Sequence, residues 1–443
     1  MAATTVELRV DKTAIVTESD RRRALIGSAV GSTVEWYDFF LYGTMTALVF
    51  NKVFFVFDSP LAAEILSWST FALAFLVRPI GGVFFAHIGD RIGRKKTLFM
   101  TLSLMGISTV AMGFLPTYQQ VGVLAPILLT LLRLVQGLAL GGEWGGGLLL
   151  AVEYSPREKR GFYGAVPQVG ALIGLALGNI GTTVLAASMS QEAFVNWGWR
   201  LPFWASIVLV LIGLWIRTRI GETPSFVAAQ KAAASAPRRK LPIVQALTEH
   251  WRAVLIVIGA KFVETATFFL FATFSLSYMI KTVGFSQTDA LNIVLIAAVA
   301  CIPAMLFYGA LSDKIGRKKL FMIGAAISIL YYYPFFKLLD QKSFAVAVTA
   351  TVVGFAGIWA TYGSVLGTFF AESFPADVRY TGVSLGYQVG AALVGGPMPL
   401  IATALVAKYQ SVVPVAIFMA GCAVVSLIAM AFTTDRTGDE LDA

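Results

Sequence analysis

The sequence predicts an all-α membrane protein with twelve transmembrane helices in two six-helix, pseudo-symmetric halves. Three observations predict it. The 443-residue chain is 57% hydrophobic and only 13% charged, whereas soluble chains carry roughly 25% charge. Long apolar runs recur from end to end, and a helix satisfies its own backbone in lipid. Motifs also recur in order. Gly89–Lys96 (GDRIGRKK) returns as Ser312–Lys319 (SDKIGRKK). Glu153, Pro156 and Arg160 return as Glu372, Pro375 and Arg379, and QVG at Gln168–Gly170 as QVG at Gln388–Gly390. Such parallel repeats place a substrate path at their interface.

The twelve spans are expected near 24–50, 62–88, 97–115, 122–153, 161–188, 199–219, 251–281, 288–311, 318–338, 344–370, 379–407 and 411–432. Several exceed the ~20 residues a span needs, which implies tilt or extension beyond the bilayer. The expected organisation is a tail (1–23), a first half (24–219), a linker (220–250), a second half (251–432) and a short C-terminal tail (433–443). The linker holds Gly, Pro, the small-residue run Ala232–Ala236 and the cations Arg238, Arg239 and Lys240. It reads as a connection rather than a domain.

Cations set the orientation. Arg21–Arg23, Arg91 with Arg94–Lys96, Arg157 with Lys159 and Arg160, the linker cluster, and Lys314 with Arg317–Lys319 fall on one side. Single cations such as Lys52 and Lys281 fall on the other. The rich side is expected in the cytoplasm, with both termini, in a cytoplasmic (inner) cell membrane. The net charge of +9 is spent in these loops, which argues against nucleic acid. The N-terminal stretch is polar and reads as a cytosolic tail, not a secretory signal. Cys301 and Cys422 lie in apolar runs and form no disulfide framework. His87 and His250 are the only histidines, so no histidine metal site is expected. No phosphate-binding GxxxxGK[ST] appears, which argues against ATP-driven pumping. Neither enzymatic activity nor a cofactor is expected. The partners are a small organic acid, a proton and the lipid bilayer, and the protein is expected to act as a monomer.

The first span carries GSTVEWYDFFLYG at Gly31–Gly43. Glu35 and Asp38 are three residues apart and Tyr42 is four further on, so all three share a helical face. Asp38 stands roughly 20 Å from the Arg23 end, inside a hydrocarbon core of roughly 30 Å. An ionisable group there costs about 2.5–3.5 kcal/mol on insertion scales, so it faces a polar interior and has a task. Asp38, with Glu35, reads as the proton site. The competing reading is a structural carboxylate paired permanently with a neighbouring cation.

The motifs carry a resemblance. The loop GDRIGRKK resembles the hallmark loop of the major facilitator superfamily, and its second copy adds to the match. Within that superfamily the chain resembles the metabolite:proton symporter family. The stretches are EWYDF at 35–39, FLVRPIGG at 75–82, LLRLVQGLALGGEWGG at 131–146, EYSPREKRG at 153–161 and NWGWRLPF at 196–203. The resemblance covers nearly the whole chain. It implies transport of shikimate, α-ketoglutarate, citrate, or proline and betaine. VGSTVEWYDFFLYG, GGEWGG and GYQVG at 386–390 look most like the shikimate-type branch. The osmosensing proline/betaine branch carries a long C-terminal coiled coil, and this chain ends shortly after its last span.

Arg133 lies roughly 16 Å into the fourth span, counted from Gly122. Its planar fork of donors suits a carboxylate. Arg133 is expected to hold the substrate anion, with Gln136 beside it; a permanent bridge to a carboxylate is the rival. Lys261 and Glu264 are three apart in the seventh span. They pair with each other, or Lys261 serves as a second cation for the substrate. Tyr42, Gln168, Tyr362, Tyr387 and Gln388 suit recognition of hydroxyls and carboxylates, although aromatic residues in spans are usually packing. Arg78, before Pro79, balances an inner carboxylate. Asp90, Arg94, Glu153 and Arg160, repeated as Asp313, Arg317, Glu372 and Arg379, read as a cytoplasmic gate whose charges pair when that side closes. Glu143 reads as a gate or packing residue, or as a substrate contact. The expected function is proton-coupled symport of small organic acids by alternating access. The alternatives are symport of zwitterions such as proline or betaine, or a non-transporting membrane sensor on the same fold.

Overall fold

The computed structural model describes residues 18–57, 59–92, 94–219, 242–375, 378–439 and 441, with no strand among them. Twelve long helices carry most of these residues. They are α1 (Glu18–Met45), α2 (Pro60–Ile92), α3 (Arg94–Met112), α4 (Leu124–Glu153), α5 (Arg160–Ser188) and α6 (Leu201–Arg219). The rest are α7 (Trp251–Val283), α8 (Gln287–Ile315), α9 (Arg317–Leu339), α10 (Phe344–Glu372), α11 (Arg379–Tyr409) and α12 (Val413–Ala431). Of these, α2 and α4–α12 are long and apolar enough, by length and composition, to cross a membrane. The other two are α1, which carries Arg21–Arg23, Glu35 and Asp38, and α3, whose apolar part is Phe99–Met112. The basic triplet, expected in the tail, is already helical. Of the expected linker, residues 220–241 lie outside the described residues, and the short helix Pro242–Thr248 follows.

Polarity is inverted relative to a soluble bundle. On α2, Leu76, Ile80 and Phe84 are exposed at one-turn spacing while Arg78 is buried. An apolar outside and a polar inside suit a hydrocarbon solvent.

In the first set of six, α1 packs on α5 and α6, α2 on α4, and α3 on α4 and α6. In the second, α7 packs on α11 and α12, α9 on α10 and α12, and α8 on α10. The two sets meet chiefly where α2 touches α11 and where α5 touches α8. Under the sequence repeat these are one contact seen twice, since α8 repeats α2 and α11 repeats α5.

One close approach positions the site. A Cβ on Gly81 would sit 2.0 Å from the Leu138 carbonyl oxygen, one on Gly137 2.3 Å from that of Ala74, and one on Gly141 2.1 Å from that of Arg78. Only glycine lets the backbones of α2 and α4 come this near. Arg78 of α2 and Arg133 of α4 are thereby brought to the same aromatic cluster. Widened π-helical turns in α7 (Leu270–Phe274), α10 (Val353–Trp359) and α11 (Ala391–Gly395) lie around that cluster on the opposite side. Such turns re-aim the side chains that follow and often occur at functional sites.

Candidate functional site

Three helices of the first set build a continuous polar chain. Arg133 Nη1 donates to Gln136 Oε1, one turn on along α4. Gln136 Nε2 donates to Thr109 Oγ1 of α3 at 2.8 Å, and Thr109 Oγ1 lies 3.0 Å from Asp38 Oδ2 of α1 as its donor. The same hydroxyl lies 3.1 Å from the Met105 carbonyl. All four side chains have 0% exposure, so neither Asp38 nor Arg133 faces the outer surface. The link between them runs through two neutral groups rather than through a direct ion pair.

Arg133 is only partly satisfied. Its guanidinium stacks 3.9 Å from the Tyr42 ring centroid and 4.4 Å from that of Phe39. Its Nε and Nη2, with Asp38 Oδ1, have no hydrogen-bond partner among the described residues. Cation–π contact contributes about 0.5–2 kcal/mol, which does not replace missing hydrogen bonds to a buried guanidinium. Tyr42 contributes its ring face to the arginine, while its hydroxyl pairs with Thr70 Oγ1 at 2.6 Å. Thr109 was missed by sequence reasoning. Ser and Thr in membrane helices usually bond the preceding turn, as Ser108 does, so nothing in α3 marks Thr109 as different.

A second cluster spans both sets. Arg78 stacks 4.1 Å from Phe75 and 4.6 Å from Phe39, so Phe39 contacts both arginines. Glu35 and Tyr387 stand near enough to act on the charge of Arg78. Lys261 donates to the Glu264 carboxylate and lies 3.8 Å from the Tyr387 ring centroid. Trp359 Nε1 donates to the Glu264 carbonyl at 2.8 Å. Between the sets, Trp36 and Phe40 meet Phe268, and Phe39, Phe71 and Phe75 meet Phe269. Glu35 and Asp38 share the inward face of α1 yet address different neighbours. Glu143 is buried at the break in α4 and lies within electrostatic reach of Asp38.

The remaining polar residues lie at contacts between helices. Gln168 of α5 donates to the Gly363 carbonyl of α10 at 3.4 Å, and Gln388 of α11 to the Gly141 carbonyl of α4 at 3.3 Å. These bonds are repeat-related and both join the two sets. Tyr362 pairs with Ser328 at 3.1 Å, and Thr267 with Tyr332 at 2.6 Å, inside the second set.

At the end carrying the duplicated motifs, Glu372 is shared. Arg160 of α5 donates to one oxygen at 2.9 Å, and Arg317 Nε of α9 lies 3.0 Å from the other. Asp313 pairs with Arg317 at 3.1 Å and accepts from the backbone N–H of Gly161 and Phe162 at 2.7 and 3.1 Å. A carboxylate there complements the partial positive charge of the α5 N-terminus. Arg379 Nη1 lies 3.9 Å from Glu153. The side chains of Asp90 and Arg94 lie outside the described residues. The segment after α12 straps across this cluster. Arg160 donates to the Asp439 carbonyl at 3.0 Å, Arg379 to that of Leu441, and the Arg317 N–H to Thr437 at 3.0 Å. At the opposite end Lys281 bridges to Glu64 at 2.8 Å and Ser277 donates to Glu64 at 3.0 Å. The two sets are therefore bridged at both ends.

Replacing Glu372 with Gln leaves two buried guanidiniums short of charge, and breaking such a network costs about 3–5 kcal/mol. The expected result is a population shift toward a form open at the motif end. It is checked by faster thiol labelling of a cysteine introduced at Thr368, with Glu64→Gln as the opposite-end control.

Apolar spans wrapped around a buried polar core, in two sets joined at both ends, are the build of a membrane transporter. The chain belongs to the Major Facilitator Superfamily, whose family profile matches residues 28–391 and, separately, 256–442. It is 38% identical to the shikimate transporter of Escherichia coli (strain K12), over 97% of this chain and 98% of that one. It is 37% identical to the inner membrane metabolite transport protein YhjE of the same strain, over 99% of each chain. The proline/betaine transporter of that strain is 31% identical, over 94% of this chain and 83% of its own length. Among solved structures, a D-xylose–proton symporter superposes with a TM-score of 0.74 at 19% identity, over 94% of this chain and 99% of that one, which shows the shared fold. The protein is a multi-pass membrane transporter and not an enzyme.

Proposed function

We propose that this transporter is a proton-coupled symporter of small organic acids. One observation carries the reading: a fully buried arginine with unpartnered donors, joined through two neutral side chains to a fully buried carboxylate. Names of the relatives point the same way, since one is a shikimate transporter and another a metabolite transport protein. Charge arithmetic supplies the coupling. With the site empty, Asp38 is ionised and offsets Arg133. With a substrate carboxylate on Arg133, the anion offsets the cation and Asp38 must take a proton. Either way the pair is neutral, while one ligand without the other leaves a net charge buried at a cost of several kcal/mol. The interchange between forms open to one side or the other then proceeds with both ligands or with neither.

In this reading the halves are 24–219 and 251–432, rocking about the α2–α11 and α5–α8 contacts. The motif end faces the cytoplasm, as the cations require, and Glu372 with Arg160 and Arg317 forms its latch. Asp38 holds the proton and Arg133 the anion, with Tyr42 and Gln136 around it. Glu35, Arg78, Lys261, Glu264 and Tyr387 line the boundary between halves.

A second reading has one observation in its favour. Glu35 and Glu264 stand beside Arg78 and Lys261, and such mixed charge suits a zwitterion; the proline/betaine transporter is a relative. The test is a panel of shikimate, α-ketoglutarate, citrate, proline and betaine. Each is measured by thermal stabilisation of the purified protein and by competition for uptake into liposomes. The expected result is stabilisation and competition by a carboxylic acid and none by betaine. Competition by proline and betaine alone would replace the organic-acid reading with the zwitterion one.

A further inference from the structure

We propose that Thr109, acting with Gln136, is the positioning residue that reports the proton on Asp38 to Arg133. This rests on the proton-coupled reading above and adds its linkage. The hydroxyl of Thr109 has two acceptors within reach, Asp38 Oδ2 at 3.0 Å and the Met105 carbonyl at 3.1 Å, and one proton to give. Its oxygen meanwhile accepts from Gln136 Nε2 at 2.8 Å.

Two complete arrangements follow, with no heavy atom moved. When Asp38 is ionised, Thr109 donates to the carboxylate. A hydroxyl that donates to an anion is polarised and accepts more strongly. Gln136 is held by its amide N–H, and its carbonyl stays fixed on Arg133 Nη1. When Asp38 carries the proton, its O–H donates to Thr109, and the threonine hydrogen turns to Met105. The threonine oxygen then accepts from both Asp38 and Gln136, and the polarisation is gone. Gln136 is held less firmly, and Arg133 is freer to aim its donors at an anion. Protonation of Asp38 thus raises anion affinity, and by reciprocity anion binding raises proton affinity equally.

The surroundings leave Asp38 as the group this rotor senses. From α4 it meets Arg133 and Glu143, and on its own helix Tyr37, with Glu35 one turn away. From α7 come Lys261 and Glu264, which pair with each other, and from α2 comes Arg78, which acts on Arg133. The apolar part of α3, Phe99–Met112, carries no charged side chain, and α5 and α6 carry theirs only at their ends, as Arg160, Arg217 and Arg219.

The sequence repeat supplies an independent comparison. Glu35, Asp38, Phe39, Phe40 and Leu41 recur at the same spacing as Glu264, Thr267, Phe268, Phe269 and Leu270. Tyr332 stands as far beyond Arg317 as Thr109 beyond Arg94. The first-to-third-helix bond Asp38–Thr109 therefore has a counterpart in Thr267–Tyr332, at 2.6 Å. There both partners are neutral hydroxyls. The second half keeps the contact without a carboxylate, and the first half has made the same contact sensitive to a proton.

The test is the dependence of binding affinity on pH, measured by titration calorimetry with whichever acid of the panel stabilises the wild type most. One linked proton weakens binding by about tenfold per pH unit as pH rises through the titration of Asp38. Thr109→Val is expected to flatten this slope to about threefold or less, and Thr109→Ser to keep it. Gln136→Met breaks the next link and is expected to flatten it as well, which keeps the test open should Thr109→Val not fold. Wild-type slopes in Thr109→Val and Gln136→Met, whatever their melting temperatures, overturn the relay and leave proton coupling intact. A flat profile in the wild type overturns the proton-coupled reading itself, and the relay with it.

Discussion

Replacing Arg133 with alanine is expected to abolish substrate binding. Among the described residues the guanidinium is the cation joined to the Asp38 chain, with its Nη1 committed to Gln136 and two other donors unpartnered. A carboxylate in that place gains charge-assisted hydrogen bonds in a site shielded by Phe39, Tyr42 and Phe71. Truncating one member of a desolvated charge pair costs about 2–5 kcal/mol, or roughly 30- to several-thousand-fold in affinity. Alanine also leaves Asp38 without its compensating cation, so the empty protein loses stability or takes a proton onto Asp38. Arg133→Lys separates these effects. Lysine keeps the charge but loses the planar fork, so stability is largely kept while affinity falls at least about tenfold. Titration calorimetry with the best panel acid gives the affinities, and thermal denaturation the stabilities. Normal affinity in Arg133→Ala would remove this residue from the site.

The second large effect belongs to Asp38→Asn. Asparagine matches the shape of the protonated carboxyl and its amide can donate to Thr109, but it neither gains nor loses a proton. With a carboxylate on Arg133 the pair is neutral, so the loaded protein still interconverts. Without substrate, Arg133 is left uncompensated in the core, and the empty return is impeded. The mutant is expected to exchange labelled for unlabelled substrate at a rate near wild type. It is expected to lose accumulation driven by a pH gradient almost completely. Undiminished uphill uptake would rule out Asp38 as the proton carrier.

The fold was legible because its two causes are written locally. Apolar runs of span length fix the helices, and the paired GDRIGRKK and SDKIGRKK loops expose the repeat. The inward residues Asp38, Arg133, Lys261 and Glu264 were legible because an ionisable side chain in a span has few places to go. Partnership was less legible. Lys261 and Glu264 pair as their spacing allows, but Arg133 and Asp38 meet only through Thr109, a residue with no local distinction. That meeting depends on how α1, α3 and α4 come together, and around it glycines at 81, 137 and 141 set how closely α4 approaches α2. Gln168 and Gln388 were read as substrate contacts from their polarity. Their bonds to Gly363 and Gly141 depend on the contact between halves, which polarity alone does not encode. The duplicated charges announced a charged cluster at one end, yet the sharing of Glu372 by Arg160 and Arg317, and the contacts of Asp439 and Leu441 with Arg160 and Arg379, required the assembled bundle.

The most direct measurement is proton movement itself. The protein is placed in liposomes with a trapped pH indicator, at equal pH inside and out and with potential clamped, and the best panel acid is added outside. Protein-free liposomes set the baseline. Uptake should acidify the interior in step with substrate entry, and Asp38→Asn should admit substrate in exchange without that signal. Substrate entry into wild-type liposomes with no acidification, or equal acidification in Asp38→Asn, would contradict a carboxylate and an arginine acting as one neutralised pair.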